Sequence, residues 1–274
     1  MLQALTIAQV SDPNAPYMLQ GCPFEESLRI AARYDYKGVE IQLRAPEDLD
    51  RASFFSVCEQ TGIRLVSIAT GQACCEGLSL SSQDSSVRMR TVERLFSQIE
   101  LAASCGHRPA IMIGLLIGRR SAAGSSEEYY SLLADSLKRV ADRACAKDIP
   151  VNLEPVNHLD SDALNTWQET AEFLDRSGCE YIRLGMDLYH MRLEERDIAA
   201  TLRNYKHRIG CVQLMDDNRM APGLGLFDTS ALAGLVKELN YDGPVIMECL
   251  PGSAPESSLK TAADFYKRSF SDRT

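Results

Sequence analysis

The sequence has no long apolar run. Its longest such stretch, residues 111–117, falls far short of a bilayer span. A basic leader with a small-residue cleavage site is missing from MLQALTIAQV, which argues against a secretory signal and for a cytoplasmic protein. Basic residues are outnumbered. The 29 Lys and Arg against 38 Asp and Glu leave a net charge of -9, so neither nucleic acid nor an anionic membrane surface is the expected partner. No C-x-x-C pair occurs among the nine cysteines. The odd count and the adjacent Cys74 and Cys75 read as reduced, mostly buried thiols. Three fingerprints are absent as well: G-x-G-x-x-G after the first strand, the P-loop, and G-x-S-x-G. Their absence removes the motif support for a dinucleotide cofactor, a nucleotide phosphate and a serine nucleophile.

What is present is alternation. Apolar runs at 4–10, 38–43, 64–69, 110–114, 150–154, 182–187, 210–215 and 244–249 read as eight strands buried on both faces. Between them, helical patterns run over 24–34, 84–105, 126–147 and 166–176, from Asp228 onward, and over 257–270. Ser125 or Ser126 ahead of Glu127 and Glu128 reads as a helix start, and Gly178 as a stop. Hydrophobic residues make up 45 % of the chain, enough for a large core. Eight strand–helix pairs without a linker or repeat predict a single (β/α)₈ barrel domain over 1–274. A doubly wound open sheet is the alternative, weakened by the missing glycine fingerprint.

In such a barrel the chemistry sits at the carboxyl ends of the strands. The polar residues there form a coherent set. Glu40 lies on the second strand, Glu154 ends the fifth and Asp187 the sixth. Gln213 is on the seventh, followed by Asp216, and Glu248 is on the eighth. Three carboxylates and an amide oxygen converging on one mouth would suit a hard divalent cation, Mn²⁺ or Mg²⁺, which would also relieve their mutual repulsion. Read singly, each is as easily a solvated strand end or a helix cap.

The stretches ATGQA at 69–73, GLLIGRR at 114–120, LEPVNH at 153–158, MDLYHM at 186–191, DDNRMAPGLGLFD at 216–228 and MECLP at 247–251 resemble the sugar isomerase and epimerase superfamily of xylose-isomerase-like barrels. The resemblance is closest to the ketose 3-epimerase and keto-gluconate epimerase branch. It implies Glu154, Asp187, Gln213 and Glu248 as ligands of one divalent metal ion, with Glu154 and Glu248 also as the catalytic acid–base pair. Gln213 stands where most 3-epimerases carry histidine and where hydroxypyruvate isomerase-like members carry glutamine. That shifts the expected ion toward Mn²⁺ or Mg²⁺ and away from Zn²⁺ or Co²⁺. His190 and Arg219 match substrate-binding positions. Asp160 falls where epimerases often hold a longer glutamate, and Gln72, His158 and Arg119 are further candidates for the pocket wall. His107, His207, Cys211 and Cys249 read as structural.

The reaction implied is proton transfer beside a carbonyl of a small sugar or keto acid, through a metal-stabilised enediolate. Inversion at one carbon would give a ketose or keto-aldonate 3-epimerase. Transfer to the neighbouring carbon would give an aldose–ketose isomerase of the hydroxypyruvate isomerase type. The superfamily also holds nucleases acting on abasic DNA, but those need several histidines at the mouth, and this chain has four in all. A metal-free, non-catalytic barrel is the remaining alternative, resting on Gln213 alone. Relatives of this kind are commonly homo-oligomers, dimers or tetramers. Gly223 and Gly225 form either a phosphate site or a turn.

Overall fold

The computed structural model describes residues 1–270. Eight strands form in chain order: β1 (Leu2–Ala8), β2 (Gly38–Gln42), β3 (Arg64–Ala69), β4 (Ala110–Ile113), β5 (Val151–Leu153), β6 (Arg183–Asp187), β7 (Ile209–Leu214) and β8 (Pro244–Met247). Each pairs in parallel with the next, and β8 pairs with β1, so the sheet closes on itself. Parallel neighbours cannot be joined by a tight turn, so helices cross between them. These are α1 (Phe24–Arg33), α2 (Arg51–Thr61), α3 (Ser85–Ala103), α4 (Ser126–Lys147), α5 (Trp167–Arg176), α6 (Leu188–Glu194), α7 (Ile198–Asn204), α8 (Thr229–Glu238) and α9 (Pro255–Phe270). The architecture is the expected (β/α)₈ barrel.

The strands read as apolar runs because helices cover their outer faces while side chains fill the interior. Leu5, Ile7, Val39, Ile41, Leu65, Ile68, Leu184 and Val245 are all fully buried. Buried side chains of α3 and α4, such as Leu95, Ile99, Leu133 and Leu137, join the same continuous core. Several helices start on a side-chain cap: Asp84 for α3, Ser125 for α4, Thr166 for α5 and Asp228 for α8. Among the described residues no helix is long and apolar enough to cross a membrane.

Two details depart from the expected pattern. β1 ends at Ala8 rather than 10, because the chain turns there and Ala8 N donates to Leu19 O at 2.9 Å, folding residues 9–18 over the mouth. Three helices, α2, α6 and α7, were not anticipated. α2 carries good end signals, Asp50 accepting from Ser53 N at 3.1 Å and Gly62 in the left-handed region at φ 71°, but its apolar residues do not fall on one clean face. α6 follows β6 with no linker, so Asp187 both ends the strand and caps the helix.

Candidate active site

The barrel's carboxyl end opens into a cavity of about 360 Å³ lined by Glu154, Asp160, His190, Gln213, Arg219 and Glu248 on one side and by Tyr17, Gln42, Thr70 and Gly71 on the other. Asp187 lies beneath it, 1 % exposed. Its Oδ1 is committed to the α6 cap, accepting from His190 N at 2.9 Å, while Oδ2 is buried with no hydrogen-bond partner. Gln213 Oε1 is likewise buried and unpartnered. Orphaned acceptors in a low-dielectric site are costly unless something cationic or donating completes them. Gly114 makes room for the third oxygen group. A side chain there would start 2.7 Å from Glu154 Oε2.

The electrostatics follow from crowding acids out of water. Burial, then the charge of Asp187, pushes the Glu154 and Glu248 carboxyls well above the ordinary carboxylate range. Asp187 moves the other way. Burial opposes its charge, but the Arg219 guanidinium and the His190 backbone N–H hold its carboxyl below the usual value. Arg219 reaches Asp187 Oδ2 at 3.8 Å and Glu248 Oε2 at 4.0 Å, with its guanidinium stacked 4.5 Å above the Tyr189 ring. Its backbone sits at φ 59°, a left-handed conformation that a non-glycine residue adopts at a cost.

His190 is held in one tautomer. Asn157 Nδ2 lies 2.6 Å and Asn157 N 3.3 Å from its Nδ1. The Asn157 amide cannot be the other way round, since its Oδ1 accepts from Leu159 N and its Nδ2 donates to the Asp160 carboxylate. Nδ1 therefore accepts, and Nε2 carries the hydrogen, pointing at Glu154 Oε1 3.7 Å away. Burial also lowers the imidazole's pKa, favouring this neutral form. Glu154, Asp187 and His190 offer ligand atoms within 4.8 Å of one another, a cluster that could hold a metal ion. The tautomer makes His190 a hydrogen donor rather than a ligand. That leaves Glu154, Asp187, Gln213 and Glu248 as the oxygen donors, and their chemistry fits a hard divalent cation.

The structure brings seven of the ten predicted site residues together: Glu154, Asp160, Asp187, His190, Gln213, Arg219 and Glu248. The other three do not line the cavity. His158 turns outward and pairs with Glu194 at 2.6 Å. Arg119 is exposed and donates to Asp160 O at 3.1 Å, steadying the loop behind the pocket. Gln72 lines a neighbouring cleft with Arg44 and Asp48. Asp216 organises the loop after β7, accepting from Gly223 N at 2.8 Å and Phe227 N at 3.1 Å, so the glycine stretch is a turn with its Gly223 amide already engaged. His107, bonded to Leu65 O on the opposite face, and the buried Cys211 and Cys249 are structural, as expected.

The profile of the xylose isomerase-like TIM barrel family matches residues 28–269. The chain belongs to that family. L-ribulose 3-epimerase of Mesorhizobium japonicum is 26% identical over 213 residues, 76% of this chain and 72% of its own length. Hydroxypyruvate isomerase of Escherichia coli is 24% identical over 241 residues, 84% of this chain and 89% of its own. The crystal structure of D-allulose 3-epimerase from Methylomonas sp. superposes with a TM-score of 0.81 at 20% identity, covering 98% of each chain. These family members are carbohydrate epimerases and isomerases, and the motif resemblance is borne out at that level.

Sequence reasoning missed Asn157, Tyr17, Gln42 and Thr70. Asn157 lay inside LEPVNH, where only its adjacency to the glutamate was visible. Tyr17 reaches the mouth from the loop after β1. Its phenol is pushed up to about 12, by burial first and then by the Glu248 charge.

Proposed function

We propose that this chain is a metal-dependent epimerase or isomerase of a small sugar or keto acid, moving a proton at the carbon beside a carbonyl. The observation that carries this reading is the pair of largely buried glutamates, Glu154 and Glu248, whose carboxyls burial pushes above the ordinary range. They directly follow β5 and β8, strands separated by β6 and β7, and line one cavity with unpartnered oxygens between them. Glu154, Asp187, Gln213 and Glu248 would hold one divalent ion, and an oxygen-rich set favours Mn²⁺ or Mg²⁺ over Co²⁺ or Zn²⁺. Such an ion supplies positive charge beside the oxygen that turns negative as the carbon loses its proton.

The chain's own groups divide the remaining work. One glutamate takes the proton and the other returns one, which inverts the carbon when the two act from opposite faces. His190 Nε2–H donates to a substrate oxygen. Arg219, half-buried with its Nε unpartnered, offers a second donor and a fixed positive charge. This arrangement supports a ketose or keto-aldonate 3-epimerase. An aldose–ketose isomerase of the hydroxypyruvate type is the second reading, favoured by glutamine at 213 and by the relative from Escherichia coli.

The test is deuterium wash-in from heavy water with Mn²⁺ supplied, across a panel of ketoses, keto-aldonates and hydroxypyruvate. Exchange should appear at the carbon next to the carbonyl of at least one substrate, at C3 for an epimerase. A panel with no exchange anywhere would sink the reading.

A further inference from the structure

The proposed reaction leaves a buried acid without a role. Glu40, in the middle of β2, has no exposed surface at all. A carboxylate inside a barrel is disfavoured unless its oxygens are engaged. Its Oε1 accepts two hydrogen bonds, from Thr6 Oγ1 on β1 at 3.0 Å and from Gln213 Nε2 on β7 at 3.0 Å, while Oε2 is buried without a hydrogen-bond partner. The second bond spans the barrel interior between strands separated by β1 and β8. The register of β2 against β3 slips between Val39 and Glu40, a local irregularity at this residue.

An amide ligand has a weakness that a carboxylate lacks. Rotated half a turn about its last bond, it presents NH₂, which cannot bind a cation, in place of its oxygen. The hydrogen bond between them runs from Gln213 Nε2 to Glu40 Oε1, the same oxygen that accepts from Thr6 Oγ1, so Glu40 acts there as an acceptor. Gln213 Oε1 is then at the other end of the amide, buried and unpartnered in a residue that lines the cavity.

We propose that Glu40 is a positioning residue: its carboxylate fixes the Gln213 amide so that Oε1, rather than Nε2, faces a divalent cation. The proposal rests on the metal reading above. It gives the buried carboxylate a purpose and pairs it with this chain's glutamine at 213.

Mn²⁺ titration by calorimetry tests it, together with a count of the water molecules held by bound Mn²⁺ from water-proton relaxation. The proteins are the parent, Gln213→Ala, Glu40→Gln and Glu40→Met, with metal-free melting measured in parallel. Gln213→Ala should weaken Mn²⁺ binding and add one water. Glu40→Met should do the same, by about 10–100-fold in affinity, the range for partners that orient a ligand. Glu40→Gln keeps an acceptor oxygen but no longer dictates the direction of the bond, so it should fall between. A purely structural glutamate would lower metal-free melting without changing the water count. If Gln213→Ala alters both quantities while folded Glu40→Gln and Glu40→Met match the parent, the proposal is overturned and the metal reading stands. If Glu40→Met does not fold, Glu40→Gln decides alone. If the parent binds no Mn²⁺, or Gln213→Ala binds it like the parent, the metal reading itself falls and takes the proposal with it.

Discussion

The two halves of the barrel mouth differ in kind. The half built by β5 to β8 carries Glu154, Asp187, Glu248, Arg219 and His190, all largely buried and electrostatically entangled. The half built by the loop after β1 and the ends of β2 and β3 presents Tyr17, Gln42, Thr70 and Gly71, which carry no formal charge, with the exposed Asp12 as the one acid on that largely neutral side. Charge gathers where bonds would be broken, and Arg219 there holds a left-handed backbone at φ 59°. The neutral half offers shape and hydrogen bonds. The contrast separates two jobs, changing the substrate and recognising it, and mutations on the two halves should separate in the same way.

The largest effect belongs to the charged half. Glu154→Gln and Glu248→Gln keep an oxygen but cannot take a proton. With Mn²⁺ supplied, each should lower kcat by about 10²–10⁴-fold, the usual contribution of a general acid or base. For an epimerase, one variant should still exchange deuterium from one substrate epimer while failing to form product. For an isomerase with one base, a single glutamate should be indispensable. Both variants turning over at the parent rate would end the comparison.

The charged half should also dominate pH behaviour. In protein stripped with EDTA, Glu154 and Glu248 have carboxyls raised above their ordinary value of 4.5. A raised acid binds its proton more tightly folded than unfolded. Its stabilising contribution is therefore complete below about pH 4.5 and is lost as pH rises toward the folded value. Asp187, lowered from 3.8, has the opposite sign, and its contribution is lost only as pH falls below that figure. Melting temperature of the stripped protein should thus decline from pH 5 upward. Mn²⁺ should restore more stability at pH 8 than at pH 5, because it favours the ionised carboxylates. A stripped protein whose melting is flat across that range would contradict the cause assigned to the raised carboxyls.

The charged half was also the more legible in the sequence. Glu154, Asp187, Gln213 and Glu248 stand at the ends of apolar runs, and a barrel gathers strand ends by topology alone. The runs themselves were visible because helices and interior side chains bury both strand faces. Contacts made across the barrel left no such trace. Asn157 and His190 are 33 residues apart and Glu40 and Gln213 are 173, so no local spacing reports them. His158, Arg119 and Gln72 are loop residues. Sequence placed them after the right strands, but the direction of a loop side chain is set by partners such as Glu194, which only the fold supplies. α2 was missed for a different reason. Its caps, Asp50 and Gly62, were readable, while the period between them was not.

Gly71 sharpens the comparison by steric means. A side chain there would start 2.9 Å from Gln42 Oε1 and 3.8 Å from the Tyr17 hydroxyl. Gly71→Ala must displace the Gln42 amide and adds a methyl group to this half of the cavity. One methyl group in a pocket discriminates by about tenfold or more. The variant should lose about that factor in kcat/KM for a six-carbon ketose while leaving a three-carbon substrate such as hydroxypyruvate nearly unaffected. Equal losses on both would mean the neutral half does not contact the far end of the substrate.

The smallest effect should come from Thr70→Val. The two side chains have nearly the same shape, so the change removes one hydroxyl and little else. Thr70 Oγ1 is buried without a partner among the described residues, so no hydrogen bond within the fold is lost with it. Stability should hold or rise slightly, because an unsatisfied buried hydroxyl carries a desolvation penalty. If that oxygen meets a substrate hydroxyl instead, one hydrogen bond of about 0.5–1.5 kcal/mol disappears, and KM should rise by about 2–10-fold. The bond would be present in ground state and transition state alike, so kcat should stay near the parent value. A drop in kcat with unchanged KM would place Thr70 among the groups that act only in the transition state. The division between a reacting half and a recognising half would then have to be redrawn to include the end of β3.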